Sequence, residues 1–244
     1  MTKIFINPGH SLNGLPDAGC VYNGLKECDI AAQVAEQLEK HLKFNNFQTE
    51  LYQQTGEDNN SNKQLNKVCQ LANASKADLF ISIHMNGFNN PDAKGTETLY
   101  AQSSSKGKLI AGYINTELTK PFKSYTFTNR GAKVDSRGLA VLKYTNMTAI
   151  LTEIGFISNK AEADFIKANV NEIAQRLCNA ICRYFNKAPK VYQEPVQKDE
   201  SKYPQEIILT HVGQGKYDVN VDLVLKLNEN KLSTCLDWIK KTYG

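Results

Sequence analysis

Residues 71–87, LANASKADLFISIHMNG, carry the strongest structural signal in the sequence. A helical segment leads into the apolar run LFISI, which is short, rich in isoleucine and closed by His84. An apolar run of this length, without regular polar alternation, is typical of a strand that is buried on both faces of a sheet. We therefore expect a central strand here, preceded by a helix that packs against the sheet.

The same alternation of strand-like and helix-like segments extends from residue 3 to about residue 186. This order predicts an α/β domain, with a mostly parallel sheet flanked by helices. We expect strands near residues 3–7, 48–52, 78–84, 96–101, 139–143 and 148–153. We expect helices near residues 27–43, 62–75, 105–119 and 160–186, the last of them opened by a capping box at residues 159–162.

Residues 188–204 break this pattern, because they contain three prolines among polar and charged residues and show no apolar periodicity. Such a composition predicts a linker. We expect a first domain over residues 1–187 and a small C-terminal α+β module over residues 205–244, made of a hairpin and a helix. A module of this size has a thin core, so we expect it to dock on the first domain, a second copy or an outside surface.

The composition excludes several classes of protein. The 244 residues carry 29 Lys and Arg against 25 Asp and Glu, a net charge of +4 without the clustered basic face of a nucleic-acid binder. No apolar run approaches the ~20 residues of a membrane span, so no membrane insertion is expected. No apolar leader follows Met1, which predicts synthesis without a signal peptide. The six dispersed cysteines are expected to be reduced thiols.

Titratable residues stand where three of the predicted strands end. His10 follows the first strand, His84 and Glu153 close two later ones, and Glu27 opens the first helix. Ligands of open α/β sheets bind beyond the carboxyl ends of the strands, so we expect these side chains to converge. Two imidazoles and a carboxylate, with a second carboxylate nearby, form the donor set of a catalytic zinc that keeps one position for water. This chemistry is typical of a hydrolase.

Each of these residues also has a structural alternative. A single histidine at a strand end is commonly hydrogen-bonded within the fold, and an acidic residue such as Glu27 is stabilised in a first helical turn by the helix dipole. Glu153 favours a functional role, because burying a carboxylate without a partner is costly. His41 and His211 lack nearby carboxylates in the sequence and are expected to be structural or solvated. The motifs GxGxxG and GxSxG are absent.

Six blocks of sequence follow one another in a recognisable order over residues 1–186. They are INPGHS at 6–11, GLKEC at 24–28, the stretch at 71–87, NRGA at 129–132, LAVLKY at 139–144 and LTEIGFISNK at 151–160. Together they resemble zinc-dependent N-acetylmuramoyl-L-alanine amidases, the peptidoglycan-cleaving enzymes of bacterial autolysins and phage endolysins. The blocks ADLFISIH-x-N and E-x-GF-x-SN carry most of this resemblance.

The resemblance implies that His10, Glu27 and His84 bind Zn²⁺ and that Glu153 is the catalytic acid and base. It implies bacterial peptidoglycan as the substrate, cleaved at the amide between N-acetylmuramic acid and the L-alanine of the stem peptide through a zinc-activated water. By the same resemblance, the protein acts on the cell wall and reaches it by holin-type release through membrane holes made by a partner. The C-terminal module would bind the wall or mediate self-association.

The chain departs from the family at several positions. Members commonly carry Asp at position 7, Arg at position 68 and Thr-Arg at positions 53 and 54, whereas this chain has Asn7, Val68, Gln53 and Gln54. We expect the Asn7 exchange to change the hydrogen bonds behind a metal ligand. Two other functions remain open from the sequence: another zinc-dependent peptidase or deacetylase acting on cell-wall peptides or sugars, and a non-catalytic wall-binding protein.

Overall fold

A computed structural model describes residues 1–22, 24–56 and 60–193, together with the backbone of two strands at Ile208–His211 and Tyr217–Asn220. The chain divides into two compact units, Met1–Gln193 and Glu194–Gly244. The strands of the first unit are β1 (Lys3–Pro8), β2 (Val21–Tyr22), β3 (Leu25–Lys26), β4 (Gln48–Leu51), β5 (Leu79–Asn86), β6 (Thr96–Tyr100), β7 (Asn129–Val134) and β8 (Thr148–Phe156). Its helices are α1 (Glu27–Phe44), α2 (Ser61–Ser75), α3 (Ser105–Leu118), α4 (Ala140–Lys143), α5 (Lys160–Ala168) and α6 (Val170–Tyr184).

Six strands of the first unit form one sheet in the order β4-β1-β5-β8-β6-β7. Strand β6 runs antiparallel to β8, whereas the other four pairings are parallel. The prediction of a mostly parallel α/β fold is confirmed. Strands β1, β5 and β8 lie side by side and run in the same direction, so their carboxyl ends meet at one edge in the middle of the sheet.

Side chains of the central strands alternate between two apolar layers. On β1, Ile4 and Ile6 belong to the layer formed with α1, α3 and α6, whereas Phe5 lies in the opposite layer with Val68 of α2. The same alternation separates Ile81 from Phe80 on β5. Both faces are therefore buried, which explains why these strands are apolar throughout rather than at every second position.

Two predicted elements differ from the structure, and three of its strands, β2, β3 and β7, are missing from the prediction. The strand predicted at 139–143 is wrong, because four apolar residues in a row are compatible with either element and residues 140–143 form helix α4. The Leu139 N–H, just before this helix, donates to the Asp135 carboxylate at 2.7 Å. Strand β7 was absent from the prediction because it is an edge strand without buried residues. The long helix predicted at 160–186 is two helices, α5 and α6, separated at Asn169.

The capping box predicted at residues 159–162 forms only in part. The Asn159 side chain accepts from the Glu162 N–H at 3.2 Å, but the Glu162 side chain turns inward and is fully buried. Its carboxylate accepts hydrogen bonds from the Gly95 N–H at 2.8 Å, the Phe156 N–H at 2.7 Å and the Tyr125 hydroxyl at 3.1 Å. Burial raises the pKa of Glu162. The acid therefore ties the start of α5 to the end of β8, the strand that carries Glu153.

The cysteines and the second unit complete the description. The five cysteines among the described residues are free. No helix in the described ranges is long and apolar enough to cross a bilayer. In the second unit, β9 (Ile208–His211) pairs antiparallel with β10 (Tyr217–Asn220), as a hairpin requires. The predicted linker from residue 194 onward and the predicted C-terminal helix lie outside the described residues.

Candidate metal centre

The structure brings His10, Glu27 and His84 together, although they are far apart in sequence. His10 follows β1 with a left-handed φ of 65°, Glu27 is the first residue of α1, and His84 lies near the carboxyl end of β5. One donor atom of each residue lies within 4.8 Å of the others. The Glu27 Oε1 atom lies 3.0 Å from His10 Nε2 and 2.9 Å from His84 Nδ1. Three nitrogen and oxygen donors therefore face one point.

Two glycines leave the space that the imidazole rings occupy. A Cβ atom at Gly9 would lie 2.5 Å from His84 Nδ1, and one at Gly19 would lie 2.5 Å from His10 Cδ2. Gly19 also has a φ of +68°, which disfavours a side chain there independently of the contact. The backbone therefore approaches both rings as closely as glycine permits. This cradle fits the His-Glu-His set and excludes bulkier residues at both positions.

Hydrogen bonds fix the Glu27 carboxylate within this cluster. Its side chain is about 5% exposed, and its oxygens accept from the Met85 N–H at 3.0 Å and the Cys20 N–H at 2.8 Å. Burial alone would raise the pKa of Glu27, but the hydrogen bonds and charges of the two histidines hold it well below its usual range. Glu27 is therefore an anion whose oxygens are aimed by the backbone at the imidazoles.

Asp17 orients the ring of His10. Its carboxylate lies 2.9 Å from His10 Nδ1 and also accepts from the Gly19 N–H at 3.0 Å. With Nδ1 donating to Asp17, Nε2 donates to Glu27 in the metal-free protein and becomes the nitrogen available to a metal once that proton is removed. Burial alone would lower the pKa of His10, but the hydrogen bonds and charges of Glu27 and Asp17 raise it to about 9.

Asn7 and Ser82 orient the ring of His84. The Ser82 hydroxyl donates to the Asn7 side-chain oxygen at 3.0 Å and lies 3.1 Å from His84 Nε2. The Asn7 amide in turn donates to the Tyr52 carbonyl at 2.9 Å. Because the Ser82 hydrogen is used on Asn7, Ser82 accepts from His84 Nε2, which leaves Nδ1, 2.9 Å from Glu27 Oε1, as the nitrogen available to a metal. The Asn7 exchange therefore does lie behind a predicted metal ligand.

Glu153 lies beside this cluster without belonging to it. In the register of the sheet it stands opposite His84 on β5 and opposite Glu97 on β6. Glu153 is 8% exposed, and its Oε2 atom has no hydrogen-bond partner among the described residues. Burial raises the pKa of this carboxyl group. A buried, unpartnered carboxylate costs free energy, so its presence points to a chemical role.

All four residues line one cavity of about 620 Å³. Asp17, Ser82 and Arg137 are not among the site residues that the sequence predicts. Asp17 and Arg137 lie in loops without a recognisable pattern, but Ser82 is a single polar residue within the buried run LFISI, and that position is a readable signal. The remaining lining residues are Cys20, Val21, Tyr22, Met85, Asn86, Gly87, Phe88, Asn89, Leu139, Leu151 and Ser158.

The fold and the site together define a hydrolase built on an α/β sheet, with a candidate metal centre at the carboxyl edge of its central strands. The N-acetylmuramoyl-L-alanine amidase family model matches residues 4–183, and the chain belongs to this family. The family resemblance predicted from the sequence is thereby confirmed. Members of this family hydrolyse the amide that links the glycan of peptidoglycan to its peptide. Membership therefore favours the amidase over the peptidase, deacetylase and wall-binding functions that the sequence left open.

Individual relatives agree with this assignment. The chain is 32% identical over 205 residues to an endolysin of Bacillus phage SPP1, covering 79% of this chain and 72% of that protein. It is 32% identical over 190 residues to the N-acetylmuramoyl-L-alanine amidase CwlM of Bacillus licheniformis, covering 76% and 70%. The catalytic domain of the CD27L endolysin targeting Clostridia difficile superposes with a TM-score of 0.66 at 27% identity, covering 78% of this chain and all of that domain.

Proposed function

We propose that this amidase is zinc-dependent, with His10, Glu27 and His84 as the zinc ligands and Glu153 as the catalytic acid and base. The observation that carries the proposal is the convergence of His10 Nε2, Glu27 Oε1 and His84 Nδ1 within 4.8 Å, beside a second carboxylate. Three protein donors of this kind, with a position left for water or substrate, are typical of catalytic zinc. Asp17 and Ser82 supply the outer hydrogen bonds that such histidine ligands usually have.

Zinc, when bound, supplies a Lewis acid that polarises the amide carbonyl of the substrate and acidifies water. Glu153 then has two tasks, which its environment supports. It accepts the proton of the attacking water and delivers it to the nitrogen of L-alanine as the amide breaks. Burial raises the pKa of Glu153 above that of a solvated glutamate. Its carboxylate is therefore a stronger base, and the protonated form persists closer to neutral pH.

Product analysis tests this function. The protein is incubated with purified sacculi, with and without a chelator, and the fragments are analysed by mass spectrometry. We expect new amino-terminal L-alanine with the glycan strands left intact, loss of the new amino terminus with the chelator, and its recovery on addition of zinc. Released D-amino acids or acetate would instead indicate another zinc hydrolase, and pelleting with walls without products would indicate a binding protein.

Asn7 provides a test of the metal site that does not depend on turnover. Replacement of Asn7 with alanine removes the acceptor that holds the Ser82 hydrogen, so Ser82 becomes free to donate towards His84 Nε2 and to favour the wrong tautomer. We expect zinc affinity to fall about 10–100-fold, as is usual for a lost outer partner of a histidine ligand. Competition with a chromophoric chelator measures this affinity.

Asn7→Asp is the matched control, because it keeps an acceptor at the same position. It should bind zinc at least as tightly as the parent protein. Parent-like zinc affinity in Asn7→Ala would show that the chain from Asn7 through Ser82 to His84 does not support the metal.

The two compact units suggest a division of labour, and we infer that residues 1–187 form the catalytic domain, that residues 188–204 link it to the remainder, and that residues 205–244 form a wall-binding or self-association module. Sedimentation of the full chain, alone and with sacculi, distinguishes the two roles of the module.

Similarity to the SPP1 endolysin supports release to the wall through membrane holes made by a partner. Appearance of the protein in the medium without such a partner would contradict this route.

A further inference from the structure

Arg137 is the one Lys or Arg residue among the described residues that line the cavity beside Glu153. It is exposed, and its guanidinium makes no hydrogen bond or ion pair with the described part of the chain. An unpaired guanidinium at the wall of a cavity retains all of its donors for an incoming anion. Burial raises the pKa of Glu153 and the charge of Arg137 opposes this rise, so Arg137 lies within electrostatic reach of Glu153 while its hydrogen-bond donors remain unused within the described part of the chain.

The loop that carries Arg137 is held in place by its neighbours. The Asp135 carboxylate accepts from the Arg137 N–H at 2.9 Å and from the Leu139 N–H at 2.7 Å. The Asp135 N–H donates to the Tyr100 carbonyl of β6 at 2.9 Å, which joins the loop to the sheet. The backbone of Arg137 is therefore fixed relative to β6, and its side chain starts from a defined point at the cavity.

The cations on the neighbouring strand β7 differ from Arg137 in their contacts. Arg130 and Lys133 each lie 2.6 Å from the Glu97 Oε2 atom. These two residues neutralise Glu97, which stands beside Glu153 in the register of the sheet. They are engaged within the protein, and neither lines the cavity. Arg137 is thus the cation best placed to meet the substrate.

The chemistry of the substrate indicates which anion it meets. Once the lactyl carboxyl group is engaged in the scissile amide, the N-acetylated sugars beside it carry no charge, whereas the stem peptide carries free carboxylates. Glu153 protonates the alanine nitrogen in the proposed function, so groups that share its wall of the cavity face the peptide side. Guanidinium binds carboxylate through two parallel hydrogen bonds.

We propose that Arg137 binds a carboxylate of the stem peptide, on the residue that follows L-alanine, and so gives the enzyme a preference for substrates in which that carboxylate is free. This inference rests on the proposed function, since it uses the orientation of the substrate at Glu153. It assigns Arg137 as a specificity-determining residue. Amidation of that carboxylate in the wall of a bacterium would weaken cleavage by this chain.

Two muramyl peptides that differ only at the residue after L-alanine test the proposal, one with a free carboxylate and one with a carboxamide. We expect the parent enzyme to prefer the carboxylate by about 10–100-fold in kcat/KM, mainly through KM. Arg137→Gln should lose this preference mainly through a raised KM for the carboxylate substrate, with its zinc content unchanged, whereas any effect of the lost charge on Glu153 changes kcat on both substrates alike. Arg137→Lys should keep part of the preference, because it retains the charge without the planar fork.

Arg183→Gln is the matched control, since it removes the same charge from an exposed position on α6 outside this cavity, and it should behave like the parent. A preference that survives in Arg137→Gln overturns the proposal, and so does an equal loss on both substrates. The products report separately on the proposed function. Free amino-terminal L-alanine with an unchanged preference refutes Arg137 alone, whereas any other product from the parent enzyme refutes both.

Discussion

Replacing Glu153 with glutamine is expected to lower kcat on purified sacculi by about a thousandfold while leaving the zinc content of the protein unchanged. Glutamine has the same size but no proton to exchange, so the variant loses transfer from water to the leaving nitrogen. Glu153 lies opposite His84 in the sheet but outside the three-donor cluster, so the metal ligands keep their geometry. A large loss of turnover with retained metal is the signature of a proton-transfer role.

The stability of Glu153→Gln distinguishes a proton-transfer role of Glu153 from a structural one. The buried Oε2 atom of Glu153 has no partner among the described residues, so removal of the charge should leave the free energy of unfolding equal or higher. Urea unfolding measures it, beside the release of amino groups from sacculi. Glu172→Gln, at an exposed glutamate of α6, serves as the control and should retain parent activity. Cleavage by Glu153→Gln at the parent rate would show that the role is wrong.

A strand or helix is predicted correctly when its burial is reflected in its own residues, and missed when it is not. Strands β1, β5 and β8 are buried on both faces, so their apolar runs stand out without any knowledge of their neighbours. The edge strand β7 has no buried residue, and its polar sequence resembles a loop. Residues 139–143 are predicted as a strand because their apolar residues fit a strand or a helix equally well. Only the tertiary contacts of Val141 and Leu142 distinguish the two, and they belong to a short helix.

The residues of the site fall into the same two groups, those that the sequence predicts and those that it does not. Position at the end of a strand is a topological property, so the parallel sheet was enough to predict that His10, His84 and Glu153 meet. The supporting groups depend on distances between loops and strands that no local pattern encodes. Asp17 reaches His10 across a loop, and Glu162 turns away from its cap into the core. The separate roles proposed for Glu27 and Glu153 follow from the family resemblance, since both are carboxylates in one cavity.

Removing the charge of Glu27 is expected to abolish zinc binding at micromolar metal and, with it, amidase activity. Outer partners of histidine ligands account for about 10–100-fold in affinity, so loss of an anionic ligand should exceed that range. Glu27→Gln is preferred to alanine, because an amide oxygen still accepts one of the hydrogen bonds from Met85 and Cys20. Circular dichroism should therefore show a folded protein, and Glu27→Asp tests whether charge without reach is sufficient.

The same variant has a readout in the metal-free protein. The Glu27 carboxylate is the main cause that raises the pKa of His10 to about 9, against the lowering effect of burial. Without that charge the pKa of His10 should fall, which an NMR titration of the imidazole detects. In the parent protein zinc must displace the His10 proton, so zinc affinity should rise with pH up to about 9 and change less in Glu27→Gln. Unchanged zinc affinity together with an unchanged His10 titration would show that Glu27 is not a ligand and would leave the hydrolysis without its metal.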